Sequence, residues 1–206
     1  TWGSVLGAIR NNGEIIEYDH DIDIGIWYND LMKAIDFCND LNEKNYKITF
    51  QKNLHICEDL IQISSVKPLE NNFHIDIYIF RNANNIAFCR NIHYPSGYLG
   101  GIFYSLMKSI NRRIKTIFIK RILLKIIFYF YSNLFSTYWF VLPSKYFLKF
   151  KIINFIGLKF KVPSNYNDYL EYCYGKSWRT PSEDWNTIKD SGFVKKYKLS
   201  KVKKIL

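Results

Sequence analysis

The stretches Asp21-Ile22-Asp23-Ile24 and His74-Ile75-Asp76-Ile77-Tyr78 each set acidic residues into an apolar run. Side chains alternate between the two faces of a β-strand, so the aspartates of each run share one face and the isoleucines point into a core. If the two strands are neighbours, three carboxylates converge on one patch, and their repulsion calls for a divalent cation. Carboxylate oxygens suit Mg²⁺ or Mn²⁺. The pattern therefore predicts a metal-dependent phosphoryl- or nucleotidyl-transfer site at Asp21, Asp23 and Asp76.

A calcium-binding loop and an acidic surface turn are the alternative interpretations of the first run. Asp19, Asp21 and Asp23 alternate, and Asp30 stands where a calcium loop would close. Such a loop needs glycine at its sixth position for a sharp turn, and this chain has Ile24 there. The sequence therefore disfavours a calcium loop, and a surface turn remains the simpler alternative.

The segment Gly3-Ser4-Val5-Leu6-Gly7-Ala8-Ile9-Arg10 favours the transferase interpretation. Gly3 permits a tight turn, Ser4 is a good N-cap, and the apolar residues that follow recur at helical spacing. Backbone N–H groups at the start of a helix bind phosphate. A Gly-Ser helix start, an Asp-x-Asp strand and a third aspartate on a later strand resemble the nucleotidyltransferase superfamily. We therefore expect an α+β fold, with a nucleotidyltransferase-like small mixed sheet flanked by helices.

The rest of the chain divides by composition into two parts. Apolar and β-branched runs predict strands at residues 14–18, 47–50, 60–66 and 73–80. A helix is predicted after Asp30, which is a plausible early cap. Residues 1–97 would form the catalytic core, and residues 98–206 a helical, basic and aromatic C-terminal part of the same domain.

The apolar stretch at residues 122–142 approaches the length of a membrane span, which is about 20 residues. Lys125 and several hydroxyl and amide side chains interrupt it, and its tyrosines and tryptophan favour an interface. We expect a buried helical pair or a helix pair resting on a bilayer, rather than a span. The predicted C-terminal half is therefore helical and apolar.

The charge and the cysteines restrict the partners and the compartment. The chain has 206 residues, a formal charge of +11 and a pI near 9.4, which suit nucleic acid or a membrane surface. The basic residues that we expect to attract anionic lipid heads are Lys108, Arg112, Arg113, Lys115, Lys120 and Arg121. Alternatively, these residues are merely solvated. Four scattered cysteines indicate isolated thiols rather than zinc ligands or disulfides, and they favour a reducing compartment.

Two separated motifs resemble the LicD/fukutin family. The first is the segment of residues 3–10 followed by Asp19-His20-Asp21-Ile22-Asp23-Ile24, and the second is Val162-Pro163-Ser164-Asn165-Tyr166 with its downstream tyrosines, Trp178 and Pro181. Family members usually have Asp-Asp-Asp-Ile-Asp after a Pro-Trp pair, whereas this chain has His20 in place of the middle acid and Glu17-Tyr18 in place of the pair. Members also carry a strand and a helix before the Gly-Ser turn, so we expect that a segment upstream of Thr1 is missing.

The resemblance implies transfer of a phosphorylated alcohol, such as phosphocholine or ribitol phosphate, from a CDP-linked donor to a glycan hydroxyl. Mg²⁺ or Mn²⁺ held by Asp21 and Asp23 would neutralise charge on the departing CMP. Asp76 would complete the metal site or accept the proton of the attacking hydroxyl. Asp19 would be a further ligand or simply a turn residue.

The resemblance also implies substrate-binding residues. Gly3 and Ser4 would contact donor phosphates, and Arg10 would clamp a phosphate or simply complement the end of its helix. Tyr174 and Trp178, in a loop over the site, would suit a quaternary ammonium group through cation–π attraction. His74 and His93 are candidate catalytic acids, although a structural role is the simpler expectation for each.

Two further functions compete with this one. A nucleotidyltransferase that adds a nucleotide to a small molecule or an RNA end would use the same carboxylates. A basic protein that binds membranes or nucleic acid, with an inert acidic cluster, is the other. We expect a CDP-alcohol donor, a glycan acceptor and a membrane surface as partners, and no nucleic acid. The expected location is the cytoplasmic membrane surface, or the Golgi lumen in a eukaryote.

Overall fold

The computed structural model describes residues 2–17, 19–44, 46–52, 58–65, 74–92, 97–134 and 136–198. Six α-helices lie in these ranges: α1 (Trp2–Arg10), α2 (Leu31–Glu43), α3 (Gly97–Arg113), α4 (Ile117–Leu134), α5 (Tyr166–Tyr174) and α6 (Thr187–Asp190). Nine strands accompany them: β1 (Asp21–Trp27), β2 (Tyr46–Lys52), β3 (Glu58–Ser65), β4 (His74–Ala83), β5 (Ile86–Ile92), β6 (Thr137–Pro143), β7 (Phe150–Phe155), β8 (Leu158–Pro163) and β9 (Val194–Tyr197). The α+β class predicted from the sequence is confirmed.

Seven of the strands form one mixed sheet. The order is β2-β3-β4-β5-β6-β9, and β1 pairs with β4 beside this path. The β1–β4 pair is parallel, and the other pairs of this sheet are antiparallel. β4, the longest of the described strands, pairs with β1, β3 and β5. It therefore connects the strand that carries Asp21 and Asp23 to the strands of the C-terminal half. β7 and β8 form a separate antiparallel hairpin.

Helices cover both faces of the sheet around β4. On one face, Ile77 and Ile79 of β4 pack with Leu31 and Cys38 of α2. On the other face, the largest buried cluster joins Trp2 of α1 to the aromatic residues of β4 and to α5. Tyr169 of α5 accepts a hydrogen bond from the Trp2 backbone N–H at 3.2 Å. This core therefore contains residues from both halves of the chain.

The structure corrects three predictions about elements. Residues 14–17 form a turn and irregular chain rather than a strand, and Tyr18 lies outside the described residues. Ser4 lies inside α1 rather than at its N-cap. The stretch 122–142 is divided between α4 and the strand β6, because its β-branched and aromatic end pairs with β5 and β9. The C-terminal half therefore contains four strands besides its helices.

Two expectations about the apolar stretch and the cysteines can be compared with the structure. In the part of the chain that is described, no helix has both the length and the apolar character that crossing a membrane requires. Cys38, Cys89 and Cys173 are buried and form no disulfide, as expected of thiols rather than a disulfide framework. Cys57 lies outside the described residues.

The shared core predicts that a substitution in the C-terminal half destabilises the whole fold. Leu170 of α5 is fully buried in the cluster that also holds Trp2. Leu170→Ala is expected to lower the free energy of unfolding by about 2–5 kcal/mol, because it removes buried methyl groups and leaves a cavity. Urea unfolding followed by circular dichroism measures the loss. Leu158→Ala, at an exposed position of β8, is the control and should change the value by less than about 0.5 kcal/mol.

Candidate functional site

The parallel pairing of β1 with β4 brings the predicted acidic residues together. Asp23 is the register partner of Asp76, and Asp21 is the partner of His74. The Nε2 atom of His74 lies 3.6 Å from Oδ2 of Asp21 and 3.7 Å from Oδ1 of Asp76. One ligand atom from each of these three residues lies within 4.8 Å of the other two. The two strands thus form a compact group of two carboxylates and one imidazole.

The neighbouring strand β3 orients the buried carboxylate of this group. Asp76 is only 5% exposed, so its carboxylate needs a fixed polar partner. Gln62, its register partner on β3, donates a hydrogen bond from Nε2 to Oδ1 of Asp76 at 2.9 Å. Asp76 is therefore held between an amide donor and the imidazole of His74.

Helix α1 positions the acidic strand rather than capping itself with Ser4. The backbone N–H of Asp23 donates a hydrogen bond to Ser4 Oγ at 2.7 Å. A Cβ atom on Gly3 would lie 2.6 Å from Oδ2 of Asp19 and 3.6 Å from Oδ2 of Asp23. Glycine at position 3 therefore lets the carboxylate of Asp19 approach the helix closely. Gly3 and Ser4 border the acidic residues, as predicted, but through these contacts.

Burial and mutual repulsion alter the protonation of the acidic residues. Burial, with a hydrogen bond to Asp21 and repulsion from it, raises the pKa of Asp19 to about 7. Burial, with repulsion from Asp21, Asp19 and Asp76, raises the pKa of Asp23 to about 7. Asp19 and Asp23 are therefore only partly ionised near neutral pH, and a bound cation would favour their charged forms.

The donor set is compatible with a divalent cation. Carboxylates suit hard cations such as Mg²⁺ and Mn²⁺, whereas an imidazole nitrogen suits Zn²⁺ or Fe²⁺ better. Asp21 and Asp76 belong to the predicted ligand set, and His74 lies with them. The predicted metal-binding roles of Asp23 and Asp19 stay predictions. Asp19 and Asp23 remain adjacent, since their carboxylates interact electrostatically with that of Asp21.

The residues predicted to bind the donor are separated by the fold. Trp178 is 4% exposed and packs in the central core, so it presents no open aromatic face; this corrects the expected loop over the site. Arg10 lies at the far end of α1 from Gly3 and donates a hydrogen bond from Nη1 to the backbone oxygen of Trp178 at 3.5 Å. Arg10 therefore joins α1 to the segment after α5. Its predicted role in clamping a phosphate stays a prediction.

Tyr174 is the one predicted aromatic residue that borders the acidic cluster. Its ring packs against Trp185, with ring centroids 5.2 Å apart. Burial, and then charges that include Asp23 and Asp19, raise the pKa of the Tyr174 phenol well above its usual value. Tyr174 is therefore a neutral phenol at any working pH. His93 lies outside the described residues.

Sequence reasoning underestimated His74 and missed Gln62. His74 precedes Asp76 by two residues, and strand alternation alone places both on one face. The two-residue spacing of His74 and Asp76 therefore already indicated that His74 could lie beside the carboxylates. Gln62 carried no comparable signal, because its contact with Asp76 depends on the register between β3 and β4.

A cavity of about 290 Å³ lies beside the acidic cluster. Its walls come from α1, β1 and the β7–β8 hairpin, and Asp23 and Ser4 are among the lining residues. Most of the lining is aliphatic or aromatic. Asp23 therefore borders both the Asp21–His74–Asp76 group and a mainly apolar cavity.

The comparison with known families identifies the class of this domain. Residues 1–98 match the family described as LicD/FKTN/FKRP, nucleotidyltransferase domain. This matched part contains all of the acidic cluster, so the resemblance noted in the sequence is confirmed for residues 1–98. A match to this family suggests a transferase with a phosphotransferase-type activity on glycans. No curated protein matches the chain significantly.

The three-residue group predicts metal-dependent stability. Mn²⁺ should raise the melting temperature, since a ligand at 100 times its Kd stabilises the native state by about 2.7 kcal/mol. Asp21→Asn and His74→Asn should lose most of this increase. Asp21→Asn should also be at least as stable as wild type in EDTA, because it removes a repelling charge.

Differential scanning fluorimetry with and without Mn²⁺ measures these effects. Asp40→Asn is the matched control, because Asp40 is exposed on α2, and it should retain the whole increase. An unchanged Mn²⁺ effect in both site variants would contradict the metal site.

The raised pKa of Asp23 predicts the direction of the pH dependence of the metal-free protein. The unfolded chain loses this proton near pH 3.8, whereas the native state keeps it to about pH 7. The contribution of Asp23 to stability is therefore greatest below about pH 4 and falls as the pH rises to 7. In EDTA, Asp23→Asn should make the fall between pH 5 and pH 8 shallower. Urea unfolding at several pH values tests this, and a slope like that of Asp40→Asn would contradict it.

Proposed function

We propose that this protein is a metal-dependent transferase that moves a phosphorylated alcohol from a CDP-linked donor to a hydroxyl group of a cell-surface or lipid-linked glycan, releasing CMP. The observation that carries the proposal is the Asp21–His74–Asp76 group on the paired strands of a LicD/FKTN/FKRP nucleotidyltransferase domain. Phosphocholine and ribitol phosphate are the candidate groups transferred.

Asp21, His74 and Asp76 would hold the metal in this proposal. When bound, a divalent cation neutralises the diphosphate and the charge that develops on the departing phosphate oxygen. Gln62 keeps Asp76 in one orientation through its 2.9 Å hydrogen bond. A ligand fixed in this way lowers the reorganisation that the site must undergo when substrate arrives.

Asp23 is the best-placed group to receive the proton of the attacking hydroxyl. It lines the cavity, whereas Asp76 is engaged by Gln62 and lies beside His74. We therefore propose that Asp76 binds the metal and that Asp23 receives the proton of the attacking hydroxyl. The hydrogen bond from the Asp23 N–H to Ser4 Oγ fixes the backbone at this position. The Asp23 side chain therefore extends from a fixed point of the backbone.

A membrane surface is the proposed place of action. Residues 77–167 contain no aspartate or glutamate but carry fourteen lysine and arginine residues. Helices α3 and α4 lie in this acid-free segment and expose large apolar residues, among them Tyr98, Leu99, Phe118 and Tyr129. Exposed apolar groups beside basic ones favour adsorption to anionic lipid heads.

Release of CMP is the direct test of the proposed reaction. Purified protein is incubated with a panel of CDP-alcohols, Mn²⁺ or Mg²⁺ and a glycan acceptor, and CMP is measured by chromatography. One donor should yield CMP, EDTA should abolish the reaction, and Asp21→Asn and His74→Asn should lower the rate by about 10²–10³. Asp40→Asn should react like wild type.

Two outcomes would contradict the proposal. Pyrophosphate released from nucleoside triphosphates, without CMP release from any CDP-alcohol, would identify the alternative nucleotidyltransferase reaction. CMP release that survives EDTA and both site substitutions would show that the acidic group is not the site of the chemistry.

A further inference from the structure

The cavity beside Asp23 is built to receive an apolar group. Val5 and Ala8 of α1, Ile22 and Ile24 of β1, and Ile153 and Phe160 of the β7–β8 hairpin are among its walls. Its volume of about 290 Å³ is near the lower limit for small-molecule sites. One short apolar group fits such a space, and a whole lipid does not.

The charged and hydroxyl groups in the lining are few. They belong to Ser4, Asp23, Asp30, Lys161 and Tyr169. The Tyr169 hydroxyl accepts a hydrogen bond from the Trp2 backbone N–H. Ser4 Oγ already accepts the Asp23 N–H, and the Asp30 carboxylate is paired with Lys33 Nζ at 2.8 Å. A polar ligand would therefore find few partners in the cavity, whereas a hydrocarbon chain loses nothing there and gains the free energy of leaving water.

The β7–β8 hairpin that forms one wall also exposes apolar side chains to solvent. Ile152 is 61% exposed and Leu158 is 59% exposed, and Leu148 beside the hairpin is also exposed. Four exposed lysines accompany them: Lys149, Lys151, Lys159 and Lys161. No acidic residue occurs in this segment. Apolar side chains interspersed with lysines complement the surface of an anionic bilayer.

One face of strand β7 lines the cavity beside the acidic cluster, and its other face is exposed to solvent. Ile152 lies next to Ile153, so strand alternation places the exposed side chain on one face and the cavity-lining side chain on the other. We propose that the hairpin rests on an anionic bilayer and that the cavity takes one hydrocarbon chain of a glycolipid acceptor, which brings the glycan hydroxyl to Asp23. This inference rests on the proposed function and specifies its acceptor as a lipid.

Binding of octyl glucoside, below its micelle concentration, tests the cavity. Ile153→Trp should fill the cavity and weaken binding in equilibrium dialysis by about tenfold or more, because excluding even two methylene groups costs about that factor. Ile152→Trp, with the same substitution on the outer face, should bind like wild type. Methyl glucoside should not compete. Equal binding by both variants, or competition by methyl glucoside, would overturn the cavity assignment.

Fluorescence quenching gives a second measurement that does not require the cavity to be filled by a larger side chain. Trp27 lines the cavity, so a brominated octyl glucoside should quench its emission. Trp27→Phe should remove that quenching while the other tryptophans keep their emission. Quenching that persists in full after Trp27→Phe would show that the octyl chain binds outside the cavity, and it would overturn the proposal.

Sedimentation with phosphatidylglycerol vesicles tests the bilayer as the source of the chain. The double variant Ile152→Ser, Leu158→Ser should lower the partition coefficient by about tenfold, since both side chains lose apolar contact with lipid. The matched control is Met32→Ser with Phe37→Ser, which removes two exposed apolar side chains of α2 and should bind like wild type. Equal vesicle binding by the two double variants would overturn the docking of the hairpin.

These measurements separate failure of the inference from failure of the proposed reaction. Octyl glucoside binding is measured without donor and without metal, so it does not depend on CMP release. CMP release with a water-soluble glycan, combined with no octyl glucoside binding, would leave the transferase and overturn the lipid acceptor. Chain binding without any CMP release would overturn the transferase alone.

Discussion

The parallel contact between β1 and β4 is the constraint on which the rest of the structure depends. It places Asp23 opposite Asp76 and Asp21 opposite His74, so that like charges meet in a partly buried place. Their repulsion and burial raise the pKa of Asp19 and Asp23 to about 7. A protein keeps such an arrangement only if protons or a cation balance it. The hydrogen bonds of Gln62 to Asp76 and of the Asp23 N–H to Ser4 hold these strands in a geometry that suits a cation.

The C-terminal half of the chain contributes to this geometry although the family match ends at residue 98. Trp2, at the start of α1, is enclosed by aromatic residues from β4, β6 and the segment before β9, and it donates to Tyr169 of α5. Because α1 in turn holds β1 through Ser4, the position of the acidic strand depends on residues more than a hundred positions away. The acidic cluster is thus a product of one shared core.

Acidic and basic residues are distributed unevenly along the chain. The acidic residues lie before residue 77 or after residue 167, while the segment between them carries only basic charge. That segment supplies α3, α4 and the β7–β8 hairpin, which expose apolar side chains between their basic ones. An acidic cluster and a basic, apolar surface therefore coexist in one small protein. The cavity is bounded by both Asp23 and the hairpin.

The α+β class, the strands that carry Asp21, Asp23 and Asp76, and the resemblance to the LicD/fukutin family were predictable from the sequence, because strand alternation and motif order are local properties of the chain. Which side chains meet depends on tertiary contacts. His74 and Gln62 join Asp76 through the registers of β1 and β3 with β4. Trp178 is buried by the common core, and the stretch 122–142 ends as a strand because β5 and β9 are there to pair with it. Register and burial depend on partners distant in sequence, and no local pattern encodes them.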